Sequence, residues 1–177
     1  MKTVAPSTPY GYTIFCDDVR QEMGGKTSYM GIYKSKLIFN TPLPASLPKF
    51  FLVVNYFERP GESTDPVTLH VYMPDDAEGA PTVTAEIPLD DFRSKPPKLE
   101  TPDSVPLISA TVNLVVMPFE MKSEGRLRVR AYRGDLEIRL GTLSIVSRPA
   151  EDHPPKEVPI ATQKVKRRKR PRSKKST

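Results

Sequence analysis

The 177-residue chain predicts an all-β domain, on three observations. Its apolar residues fall in short runs rich in β-branched and aromatic side chains, several alternating with polar residues as a half-buried strand does. No window repeats at 3.6 residues, so helix content is expected to be minimal. Twenty prolines, against nine glycines, sit nearly all between those runs, where proline punctuates strands without removing a ladder hydrogen bond. The fold expected from this pattern is an antiparallel, immunoglobulin-like β-sandwich of about eight or nine strands.

The elements follow in order. Residues 1–9 read as a flexible N-terminus, since Ala5-Pro6-Ser7-Thr8-Pro9 is polar and proline-broken. Residues 10–16 make the first strand, with Tyr12, Ile14 and Cys16 expected to face inward. Residues 18–23 are expected to form a single turn. Strands follow at 27–33, 36–39, 50–57, 67–73 and 82–87, then a long one at 108–119. Val67, Leu69 and Val71 share a face, as do Val83, Ala85 and Ile87. The loop between 93 and 106 has no readable role. Residues 127–132 and 136–146 form the closing hairpin, with Leu127, Val129 and Ala131 inward and Arg126, Arg128 and Arg130 outward. A type II′ turn at Gly134-Asp135 pairs Ala131 with Ile138 and Val129 with Leu140. A turn centred on Arg133-Gly134 instead pairs Arg130 with Glu137, the better charge match, and both registers stay open. The domain therefore spans 10–148. Beyond it, 149–163 is a Pro-rich polar linker and 164–177 a basic tail, both too poor in apolar groups to offset their ordering entropy.

Charge is divided sharply between body and tail. Lys164, Lys166, Arg167, Arg168, Lys169, Arg170, Arg172, Lys174 and Lys175 are nine of the chain's 27 basic residues, and no carboxylate stands among them. That leaves 18 basic against 21 acidic residues in 1–163, near −3, so the net +6 belongs to the tail. A disordered arm of one sign attracts phosphate backbones by counterion release. Lacking aromatics for base stacking, it is expected to bind nucleic acid or another polyanion weakly and without sequence preference. An anionic membrane or an acidic protein would serve it equally well. One cysteine excludes an intramolecular disulfide, and no apolar run approaches the ~18 residues of a transmembrane helix. The expected location is cytoplasmic.

Residues 14–33 carry a denser pattern. Phe15, Cys16, Asp17, Asp18, Val19, Arg20, Glu22, Gly25 and Lys26, then Gly31, Ile32 and Tyr33, fit F-C-D-D-[IV]-R-x-E-x-x-G-K followed by G-[IV]-Y. The segment resembles an uncharacterised bacterial domain family, sometimes prophage-associated. That resemblance implies a β-sandwich over roughly residues 10–147 and no known activity, and it does not include the basic tail. Physically, the segment reads as strand, tight connection, strand. Asp17 or Asp18 would accept backbone N–H bonds at the turn, and Gly24-Gly25 would permit positive φ where the chain reverses. Arg20, Glu22 and Lys26 would pair around it.

No residue set suggests standard catalysis or a cofactor. Cys16 reads as a small buried hydrophobe, with Asp17 and Asp18 raising its pKa. His70 lies on the face opposite Val67, Leu69 and Val71, against Tyr72 and Thr68, and His153 lies in the linker. No His/Cys spacing fits zinc, and no glycine-rich loop opens a helix to hold phosphate. The doublets Asp17-Asp18, Asp75-Asp76 and Asp90-Asp91 each follow a strand, and such loop carboxylates can hold calcium, but turn formation is their commoner use. Arg133-Gly134-Asp135 spells an integrin tripeptide that turn chemistry already accounts for. The expected function is a non-enzymatic interaction module with an unknown protein partner and a polyanion-binding tail. The alternative is an enzyme or calcium-dependent binding domain using Asp17, Asp18 and Glu22.

Overall fold

The computed structural model describes residues 9–61, 65–77, 79–87, 89 and 107–148. The expectations for the N-terminus, the 93–106 loop, the linker and the tail lie outside the described residues. Twelve strands and no helix occur among those described. They are β1 (Tyr10–Cys16), β2 (Asp18–Glu22), β3 (Lys26–Met30), β4 (Lys36–Phe39), β5 (Ala45–Leu47) and β6 (Phe50–Glu58), then β7 (Val67–Tyr72), β8 (Val83–Ile87), β9 (Ile108–Val116), β10 (Phe119–Met121), β11 (Gly125–Arg133) and β12 (Leu136–Ser147). The all-β class is therefore correct, but the strands exceed the eight or nine expected. The additional ones are short. β2 replaces the expected turn at 18–23, β5 lies among the prolines of 42–48, and the long 108–119 strand is divided at Met117-Pro118.

These strands form a five-stranded sheet in the order β4-β12-β11-β7-β8, a three-stranded sheet β1-β6-β9, and two pairs, β10-β5 and β2-β3. Every pairing is antiparallel except β4 with β12, which runs parallel, Ser144 opposite Lys36 to Ser147 opposite Phe39. One core draws on the inner faces of both larger sheets. Phe50, Leu52, Val54 and Tyr56 come from β6, and Val67, Leu69 and Val71 from β7. Leu127, Val129 and Ala131 come from β11, and Leu140, Leu143 and Ile145 from β12. Phe50 and Phe119 stack at 4.3 Å between centroids, binding the short β5-β10 pair into that core.

The closing hairpin decides between the two registers. Arg133 opposes Leu136 and Ala131 opposes Ile138, so Gly134-Asp135 is the two-residue turn. Gly134 has φ 55°, and no non-glycine residue has positive φ, which fits type II′ and excludes type I′. The ladder then slips: Arg130 opposes Arg139 but Val129 opposes Gly141, leaving Leu140 as the extra residue of a bulge. The expected Val129–Leu140 pairing is thus replaced by Val129–Gly141. Leu136, which the two-residue alternation puts on one face with Ile138 and Leu140, is 45% exposed.

Strand β1 is inverted relative to expectation. Phe15 packs into the core, whereas Tyr12 is 49% exposed. Close approach of β12 sets this face. A Cβ on Gly11 would stand 2.6 Å from Leu140, and one on Gly141 would stand 3.2 Å from Thr13. Only small residues fit where the two strands meet, so Gly11, Thr13 and Phe15 turn inward and Tyr12 and Ile14 outward. Cys16 is buried even so, but it does not join the core cluster.

One charge lies deep. Glu58, at the end of β6, is 1% exposed. It accepts hydrogen bonds from the Tyr56 hydroxyl at 3.0 Å and from Arg133 Nη1 at 3.1 Å. Arg133 is therefore an internal counterion, and its side chain is withdrawn from the hairpin tip. The Arg-Gly-Asp tripeptide has a structural explanation.

Candidate functional site

The segment at 15–33 folds as a connection knot followed by an exposed hairpin. Phe15 enters the core, and its carbonyl accepts the Tyr33 N–H at 2.8 Å. The Asp17 N–H donates to the Met30 carbonyl at 3.0 Å, and the Tyr33 hydroxyl donates a short hydrogen bond to the Asp17 carboxylate. Burial, then that carboxylate, pushes the Tyr33 hydroxyl pKa up. Gly31 has φ 66°, and a Cβ there would overlap the Asp17 carboxylate. Asp18 bonds Lys49 and lies 3.1 Å from Arg20 Nε, and these two cations hold its carboxyl below the usual range. Gly24 and Gly25 turn the β2-β3 hairpin at φ 78° and 73°. Glu22 opposes Lys26 in register, and both are exposed.

Of the residues in the 15–33 pattern, then, Phe15, Cys16, Asp17, Gly31 and Tyr33 converge on one structural junction. Arg20, Glu22, Gly25 and Lys26 spread along a solvated hairpin instead. The Cys16 thiol pKa is raised, first by burial and then by Asp17. Asp76 is a turn cap, as carboxylates of such doublets commonly are: its Oδ2 accepts the Met73 N–H at 2.8 Å and the Thr82 N–H at 2.9 Å. Among the described residues no three His, Cys, Asp or Glu side chains gather as a metal would require. Asp17, Asp18 and Glu22 thus form no such cluster. Asp90, Asp91, His153 and the nine tail cations lie outside the described residues.

A different polar constellation lies on the outer face of the five-stranded sheet. Strand alternation puts His70 and Tyr72 of β7 beside Arg128, Arg130 and Tyr132 of β11, because Arg130 opposes His70 and Arg128 opposes Tyr72. The Tyr72 hydroxyl lies 3.2 Å from His70 Nδ1 and 3.2 Å from the Tyr132 hydroxyl. Burial, then the Tyr72 hydroxyl, pushes the Tyr132 pKa up to about 12. The Arg128 guanidinium sits 5.0 Å from the centre of the Tyr72 ring, a cation–π contact. Arg130 is pinned: Nη1 donates to the Val129 carbonyl at 2.9 Å, and Nε lies 3.1 Å from Glu137. This is the Arg130–Glu137 match that the rejected register offered, made here from a diagonal position. Arg139 reaches the same carboxylate at 3.6 Å. All of these groups except His70 line an open cavity of about 340 Å³. The alternation of arginines along β11 was legible in the sequence, but nothing in the sequence placed two tyrosines and Arg139 around them.

Compared with known proteins, the chain matches no family model, no curated protein and no solved structure.

Proposed function

We propose that this protein is a non-enzymatic interaction module, an immunoglobulin-like β-sandwich tethered to nucleic acid or another polyanion by its C-terminal arm. The observation that carries the reading is charge segregation: nine Lys/Arg and no carboxylate in 164–177, against a body near −3. In support of the sandwich, two larger sheets share one core and the chain closes on a β-hairpin. The parallel β4-β12 pair and the short β2-β3 and β5-β10 pairs elaborate that plan. The arm is read as free chain on composition alone. Membership of the bacterial family that residues 14–33 resemble, and a cytoplasmic location, belong to the same reading. Within it, Asp17, Gly31 and Tyr33 hold the hairpin rather than perform chemistry.

The test is filter binding of the full chain against a full-length variant with all nine tail cations replaced by glutamine. If the arm neutralises about six phosphates, log K falls with log salt at a slope near −5, and the variant loses that slope. Equal, salt-insensitive affinity in both proteins sinks the tether.

A further inference from the structure

We propose that the cavity on the outer face of β7, β11 and β12 is a binding site for a phosphate monoester dianion. Its described lining includes no residue of the basic arm. Charge is the first argument. Among the described residues, three arginines, Arg128, Arg130 and Arg139, surround one carboxylate, Glu137, so those walls carry a formal +2. A monoanionic carboxylate would leave this half neutralised, whereas a phosphate dianion balances it.

The second argument is the state of each arginine. Arg130 commits Nη1 to the Val129 carbonyl and Nε to Glu137, and so forms a fixed positive wall. Arg128 is half-buried, with its guanidinium on the Tyr72 ring, and no carboxylate reaches it among the described residues. Partly desolvated cations are ordinarily paired. A guanidinium held flat on an aromatic ring keeps its edge N–H groups free to grip two oxygens of one phosphate. Arg139 is 83% exposed and only loosely held by Glu137, so it can swing onto a ligand at small cost. The Tyr132 hydroxyl, neutral across the physiological range, adds a polar wall group that shares its hydrogen bonding with Tyr72.

Size is the third argument. About 340 Å³ is at the small end of ligand sites. It accommodates a phosphate and a few attached heavy atoms.

Inorganic phosphate is the probe, titrated into the full chain at constant ionic strength, with binding followed by NMR at the Arg128 and Arg139 Nε–H groups and the Tyr132 ring. Saturable shifts are expected at these positions. Arg128→Gln should weaken binding at least tenfold and Arg139→Gln about fivefold. Arg126→Gln removes the same charge from the same strand outside the cavity, and should change affinity less than twofold. Three outcomes overturn the proposal: no saturable shift at these groups, equal losses for Arg126→Gln and Arg128→Gln, or acetate binding as tightly as phosphate. Arg139 lies in solvent, so its variant keeps the test valid should Arg128→Gln fail to fold. These readouts lie on residues outside the arm, so failure here and failure of the tether are told apart.

Discussion

Replacing Gly31 with alanine tests whether the motif at 15–33 is structural. Gly31 holds φ 66°, a left-handed conformation that costs an L-residue about 1–2 kcal/mol. The new Cβ would also lie 2.0 Å from Asp17 Oδ2 and 2.6 Å from its Cγ, closer than any real contact. The carboxylate must swing away and give up the Tyr33 hydroxyl, a hydrogen bond near the surface worth about 1 kcal/mol. The expected total is about 2–3 kcal/mol. Urea denaturation of Gly31→Ala, Asp17→Ala and the double variant resolves the two contributions. Once Asp17 is alanine there is no carboxylate to displace, so the glycine change should cost only its backbone share, about 1–2 kcal/mol. The pair should therefore couple by about 1 kcal/mol. A Gly31→Ala cost below about 0.5 kcal/mol, or strict additivity, would refute the junction described for Asp17, Gly31 and Tyr33.

Three further outcomes are expected. Arg133→Met takes this counterion from the buried Glu58 carboxylate, and denaturant midpoints should show a loss of about 1.5–3 kcal/mol, the worth of a hydrogen bond to a charged group, much of it recovered when Glu58→Leu is added. Tyr132 ionises near 12 in the folded protein and near 10 when unfolded, so its contribution to stability is complete below about pH 10 and disappears as pH rises to about 12. Absorbance at 295 nm, compared between the wild type and Tyr132→Phe, should show the late-titrating ring. The Cys16 thiol, buried and with a raised pKa, should resist a disulfide reagent until urea unfolds the chain, and modification at the native rate of an exposed thiol contradicts its placement.

Legibility in the sequence follows how local each cause is. A reversal at Gly134, to within two registers, and the positive φ of Gly24 and Gly25 are readable because turn chemistry acts over two residues. The β12 bulge escaped that reading: the apolar step breaks between Leu140 and Leu143, yet the expected pairing ran straight through Leu140. Strand β2 is not readable, because Asp18-Val-Arg-Gln-Glu22 shows no alternation, and its order comes from pairing with β3 rather than from burial. The inverted face of β1 is likewise hidden, since Tyr12 and Ile14 look more core-like than Gly11 and Thr13.

Periodicity, turn residues and charge counts depend only on neighbours along the chain, and from them the sequence by itself determined an all-β body, its closing hairpin and the cationic run at its end. Which face of β1 turns inward was decided by how closely β12 approaches it. Which arginines share a cavity with Tyr72 and Tyr132 was decided by the register of three strands. Both depend on distances between residues far apart in the chain, through close-packed contacts that leave no trace in local pattern.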